Sequence, residues 1–161
     1  MRGHGSRLWL FWVMALLILG VGLGLRDPWP SDEPRVALVA RQMVESGNWW
    51  FPHRGSELYS DKPPMLMWWQ AALYTLLGNW RLAFLLPSLL AALVTLGCVY
   101  DLGRRLWNRR IGLYAAWALL LAVQFVFQSK KAQIDPLVMM FITLANYGLL
   151  RHLLLGPAWR W

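Results

Sequence analysis

Four long apolar runs, at residues 8–25, 82–103, 111–128 and about 135–155, are separated by polar segments of unequal length. Each run approaches the ~20 residues that carry a helix across a bilayer core of about 30 Å. The pattern therefore predicts four transmembrane helices. The first run, bounded by Arg7 and Arg26, is long for the apolar part of a signal peptide, and no small-x-small cleavage site follows it, so it is read as a retained span. Pro87 falls near the start of the second run, where a proline costs a helix least. Arg151 and His152 stand where they can snorkel from the fourth.

The segment 26–81 between the first two runs carries helical patterns of its own. Val36, Val39, Ala40 and Met43 recur at helical spacing, opposite Arg35, Gln42 and Glu45. This predicts an amphipathic helix over about 32–46 lying on the membrane surface. Ser31 is placed to cap it, Asp32, Glu33 and Pro34 fill its first turn, and Gly47 ends it. A second helix, about 64–77, starts after Pro63 and carries Trp68 and Trp69. It is too short to span comfortably and is expected at the interface too. The fold class is all-α and integral to the membrane, with about four spans and two interfacial helices in the first loop.

Composition agrees with this class and fixes an orientation. Hydrophobic residues make up 58% of the chain, and there are twelve tryptophans. The net charge of +8 would suggest nucleic acid in a soluble protein, but the basic residues sit at the ends of apolar runs, where topology explains them. No nucleic-acid partner is expected. The connection 104–110 holds four arginines and no acid, whereas 26–81 is balanced in charge, which predicts that 104–110 is cytoplasmic together with both termini. Arg2, Arg7 and Arg160 agree. The loop 26–81 and the Lys130-Lys131 turn then face the other side. Trp29, Trp49, Trp50, Trp68, Trp69 and Trp80 would line that outer interface, and Trp107, Trp159 and Trp161 the inner one. Cys98, the single cysteine, lies within an apolar run and leaves no intrachain disulfide to form.

The acids carry the functional signal. Six of the eight, Asp27, Asp32, Glu33, Glu45, Glu57 and Asp61, fall in the loop between the first two spans. The order of features is an acidic pair with a nearby arginine (Asp32-Glu33, Arg35), a helix ending in Ser-Gly-Asn-Trp, the step Asp61-Lys62-Pro63, and Asp135 opening the fourth span. In this order and spacing the chain resembles the N-terminal part of a GT-C fold glycosyltransferase that uses lipid-linked sugars, in the group of 4-amino-4-deoxy-L-arabinose transferases and protein O-mannosyltransferases. The resemblance covers nearly the whole chain.

The resemblance implies that Asp32 is the catalytic carboxylate that orients or deprotonates the acceptor. It implies that Lys62 contacts the phosphate of a polyprenyl donor such as an undecaprenyl-phosphate-linked sugar. Glu33, Arg35, Asp61, Lys131 and Asp135 would complete the substrate site, with Lys131 one turn before Asp135 as its partner or as a second phosphate contact. The family often has glutamate where this chain has Asp61, and the dependence on a divalent metal stays open; no cofactor is required. The acceptor would be a lipid, as in lipid A modification, a glycan or a protein. The expected location is a bacterial inner membrane with the site facing the periplasm. Family enzymes carry more spans and usually a C-terminal soluble domain, so the chain is expected to be the N-terminal piece of a longer enzyme.

Plain structural roles account for several of the same residues. Asp32 and Glu33 suit any helix N-terminus, Asp135 suits a cap, and Lys62 and Lys130 suit interfacial anchoring. His53 has no spaced partner to make a metal site. Asn146, mid-span, reads as an interhelical hydrogen bond. The competing function is a small non-catalytic four-span protein, transporter-like or accessory. A transporter places ionisable groups along its spans, whereas here the acids avoid them except for Asp101 and the Asp135 end, which favours the transferase.

Overall fold

A computed structural model describes residues 3–30 and 32–156. Ser31, the expected cap, and Arg2, Trp159, Arg160 and Trp161 lie outside the described residues. The elements run α1 (Gly3–Gly20), α2 (Glu33–Ser46), a two-residue hairpin of β1 (His53–Arg54) and β2 (Glu57–Leu58), α3 (Met65–Leu77), α4 (Trp80–Ala83), α5 (Leu86–Leu106), α6 (Arg109–Leu121), α7 (Val123–Ser129) and α8 (Asp135–Leu155). The two loop helices thus stand within a residue or so of their predicted bounds, and α2 ends at Gly47 as the pattern required.

Two helical stretches, Trp80–Leu106 and Asp135–Leu154, are long and apolar enough to cross a membrane. The other two runs depart from continuous helices. The helix of the first run ends at Gly20, because Gly22 and Gly24 take φ of 90° and 75°, a left-handed conformation that unwinds residues 21–25 into successive turns. Its apolar part, Arg7–Gly20, is shorter than a full crossing. The third run is broken at Ala122, which is extended (φ −67°, ψ 115°), so that α6 and α7 meet at 69°. No proline or glycine marks that break, and the apolar sequence around it reads as uninterrupted helix.

The helices bury two main cores. One joins Phe11, Ala15 and Leu19 of α1 to Leu89, Ala92 and Leu96 of α5, Ala116 and Leu120 of α6, and Phe125 of α7. The other lies under the loop segment. There the apolar stripe of α2, Val36, Val39, Ala40 and Met43, is fully buried with Tyr59, with Leu66, Met67 and Ala71 of α3, and with Leu137 and Met140 of α8. The stripe is therefore covered by protein, and α2 does not present it to a membrane surface as its amphipathic pattern suggested. The larger side chains in it contribute roughly 1.5–3 kcal/mol each when withdrawn from water. That anchorage seats α2, and with it Asp32, on the end of the helix bundle.

Two polar groups on the long helices have local roles. Asn146 Nδ2 donates to Ile142 O at 2.9 Å, one turn back in α8, and so makes an intrahelical bond where an interhelical one was expected. Asp101 of α5 accepts from Arg104, Arg105 and the Tyr147 hydroxyl of α8, tying the two helices together near the arginine-rich turn. An acid within a span is thus neutralised by its own neighbours.

Candidate functional site

The site is built around the start of α2. Asp32 is the helix N-cap by position, yet its side chain makes no capping hydrogen bond. Its carboxylate is 38% exposed, stands 4.0 Å from Arg35 Nη2, and receives Gln133 Nε2 at 3.5 Å. Arg35 therefore lies beside Asp32 as expected. A capping aspartate would have its oxygen on the N–H of the second or third helical residue; this one is turned toward the segment that leads into α8.

Glu33 behaves in the opposite way. It is only 2% exposed, and each of its oxygens accepts two hydrogen bonds. Oε2 receives Arg26 Nη1 at 2.6 Å and the Trp29 amide at 2.7 Å, while Oε1 receives Arg26 Nη2 at 2.8 Å and the Ala132 amide at 2.8 Å. Burial alone would push the carboxyl up, but the Arg26 fork and the two amides outweigh it and hold Glu33 below the ordinary carboxylate range. It stays ionised at neutral pH with all four acceptor positions filled. Glu33 was expected to bind substrate; it is instead fully occupied within the fold.

Asp135 opens α8 in its first turn without capping it, since the N-cap position is Ile134. Its carboxylate is exposed and accepts Gln128 Nε2 of α7 at 2.9 Å. Lys131 is not its partner. Residues 130–134 are non-helical, so helical spacing does not apply there, and the Lys131 ammonium lies 4.0 Å over the ring of Phe127. The chain thus brings Asp32 and the approach to Asp135 together through Gln133. Asp61 and Lys62 lie in the turn between β2 and α3, Asp61 exposed and Lys62 partly so. Among the described residues no hydrogen bond or ion pair joins either of them to Asp32 or Asp135.

A cavity of about 320 Å³ is lined by Arg26, Trp29, Ser129 and Lys130 together with the apolar Leu19, Leu23, Leu85 and Leu89. None of Asp32, Lys62 and Asp135 lines it, so the single enclosure of these three that the resemblance implies is not what this cavity provides. Among the described residues no three His, Cys, Asp or Glu side chains gather as a metal site. Sequence reasoning missed Arg26, Gln128 and Gln133. Arg26 reads as a flanking charge of the first run, and its contact with Glu33 crosses Pro28 and Pro30, where no periodicity exists to predict it.

Comparison with known proteins identifies the family and the fold. Residues 61–161, more than half of the chain, match the family model described as dolichyl-phosphate-mannose-protein mannosyltransferase. The chain belongs to that family. Among its relatives, the undecaprenyl phosphate-alpha-4-amino-4-deoxy-L-arabinose arabinosyl transferase of Shewanella sediminis is 38% identical over 101 residues, covering 63% of this chain and 18% of the relative. A Proteus mirabilis transferase of the same description is 30% identical over 135 residues, covering 83% of this chain and 24% of the relative. The crystal structure of ArnT from Cupriavidus metallidurans bound to undecaprenyl phosphate superposes with a TM-score of 0.85 at 26% identity, over 92% of this chain and 27% of ArnT. The fold is therefore that of the N-terminal part of a GT-C glycosyltransferase. The chain spans about a quarter of the length of the relatives it matches.

Proposed function

We propose that this chain carries the acceptor-side base and donor-phosphate contact of an inverting glycosyltransferase. The enzyme would transfer a sugar from a polyprenyl-phosphate donor to a lipid, glycan or protein acceptor. The observation that carries the reading is the Asp32 carboxylate. It opens a helix without capping it, is open to solvent, and stands against the segment leading to Asp135, in a fold shared with an ArnT that binds undecaprenyl phosphate. The relatives make an undecaprenyl-phosphate-linked aminoarabinose the first donor to test. A lipid A phosphate is the first acceptor to pair with it.

In the reaction, an acceptor oxygen attacks the anomeric carbon as the bond to the donor phosphate breaks. Asp32 orients that oxygen and, where the acceptor is a hydroxyl, takes its proton, a role worth about 10²–10⁴ in rate. The bonding pair leaves on the phosphate oxygen, where Lys62 offsets the growing negative charge. Arg35, 4.0 Å away, keeps a positive charge beside the Asp32 carboxylate. Asp61 neighbours Lys62 on the donor side, and Asp135, held by Gln128, is the further acid of the site in this reading.

Lys62→Ala tests the donor half of this reading. A hydrogen bond to a charged group is worth about 1.5–3 kcal/mol, so the KM for a polyprenyl-phosphate sugar should rise by about ten- to a hundredfold in membranes supplied with synthetic donor. Lys62→Arg, which keeps the charge, should recover part of it. An unchanged donor KM in the alanine variant removes Lys62 from the site.

The site faces the periplasm of a bacterial inner membrane in this reading, on the strength of the arginines at 104–110. In a Cys98→Ser background, Ser56→Cys should react with an impermeant maleimide added outside spheroplasts, and Asn108→Cys should react only after permeabilisation. The reverse pattern would invert the topology and place the acids in the cytoplasm.

A further inference from the structure

The turn between α7 and α8 is held at three consecutive residues by side chains from three different parts of the chain. Arg26 Nη2 donates to Lys130 O at 2.7 Å, Ser88 Oγ of α5 donates to Lys131 O at 2.6 Å, and the Ala132 amide donates to Glu33 Oε1 at 2.8 Å. Arg26 is itself fixed, forked onto Glu33 and packed 4.5 Å over Trp29 and 5.5 Å from Phe84. The next residue of the turn, Gln133, is the one that reaches Asp32, and Asp135 follows two residues later.

We propose that Arg26 and Glu33 are positioning residues. They clamp residues 130–132 against the start of α2 and thereby set the separation and orientation of Asp32 relative to Asp135. The inference rests on the reading of Asp32 as the acceptor-side base. It goes beyond it by assigning a task to a buried carboxylate that has no free position for substrate and to an arginine outside every motif of the acidic loop. The burial explains the choice of residues. A planar guanidinium can meet both oxygens of Glu33 and still spare an N–H for the Lys130 carbonyl, which an ammonium on a flexible stem does far less well.

The clamp is more than an ion pair, because Glu33 also accepts two backbone amides, and this makes it testable without reference to transfer. In the full chain, in membranes and with Cys98→Ser, the pair Asp32→Cys and Gln133→Cys should be joined rapidly by a short bifunctional thiol reagent, read by mass spectrometry of the linked peptides. Adding Glu33→Ala should slow that cross-link at least tenfold, and Arg26→Lys should slow it by an intermediate factor. With Asp32 and Gln133 native, Glu33→Ala should lower kcat by about ten- to a hundredfold, as misplacement by about 1 Å does, and leave the donor KM within about twofold. The exchange Arg26→Glu with Glu33→Arg should rescue neither quantity, since an arginine at 33 cannot accept the Trp29 and Ala132 amides.

An unchanged cross-linking rate in Glu33→Ala, or rescue by the exchange, overturns the proposal. So does a lost cross-link with kcat intact. If Glu33→Ala fails to accumulate, Arg26→Gln is measured in its place: it removes the fork and the bond to Lys130 O while the amide bonds on Glu33 remain, so the cross-link should slow by an intermediate factor, and an unchanged rate overturns the proposal equally. Full transfer by Asp32→Asn would instead overturn the underlying reading of the base, and the cross-linking result would stand unaffected by it.

Discussion

Asp32→Asn should lower sugar transfer by about three orders of magnitude, inside the ~10²–10⁴ range of a general acid–base group, while membrane insertion and thermal stability stay close to those of the parent. Asparagine has nearly the shape of aspartate and cannot take the acceptor proton. The change is silent for the fold for a specific reason: the Asp32 side chain makes no capping bond, and the start of α2 is fastened through Glu33 instead. The same substitution separates the two roles open to this residue. Asparagine caps helices about as well as aspartate, so a capping role predicts no change in either stability or activity, whereas a base role predicts loss of activity alone. Transfer assays in membranes, paired with a melting measurement on the purified variant, read both quantities. Undiminished transfer by Asp32→Asn would return the residue to a structural role.

How far the sequence could be read depended on whether a contact followed a period. The stripe Val36, Val39, Ala40 and Met43 repeats at helical spacing, and α2 stands where the stripe put it. What covers the stripe was not legible, because an apolar repeat marks one face of a helix without saying whether lipid or another part of the chain lies against it. Tyr59, Leu66, Met67, Leu137 and Met140 come from distant parts of the chain to bury it. The break at Ala122 was hidden for a related reason: an apolar run without proline or glycine looks like uninterrupted helix, since none of the usual residue markers of a sharp kink is there to read. At the proposed site, resemblance to a family singles out Asp32 and Asp135, and the structure supplies a link between them, Gln133 and the turn held by Arg26 and Glu33. Arg26 escaped both routes. It belongs to no motif, and it reaches Glu33 across two prolines where neither helix nor strand spacing applies.

Gly112→Ala should be the most damaging single-methyl change in the bundle. Helices α5 and α6 cross at Gly103 and Gly112, both buried, beside the turn capped by Asn108. A Cβ on Gly112 would lie 2.5 Å from Tyr100 O and 2.7 Å from Arg104 N, and one on Gly103 would lie 2.8 Å from Gly112 Cα. These are backbone atoms of a helix, which cannot rotate aside as a side chain would, so the two helices must move apart. Between membrane helices, close backbone approach and packing supply much of the attraction, and overpacking costs about 1–3 kcal/mol or more. Elsewhere the same substitution works in the other direction. Gly97, in the middle of α5, has only the tip of Trp12 at 3.7 Å from its would-be Cβ, and replacing a helical glycine by alanine gains up to about 1 kcal/mol of helix propensity. In detergent, Gly112→Ala should therefore melt several degrees below the parent and Gly97→Ala at or slightly above it. Transfer should fall with Gly112→Ala as well, because α6 leads through Ala122 into α7, whose Gln128 holds Asp135. Equal melting temperatures for the two variants would show that α5 and α6 do not meet at these glycines.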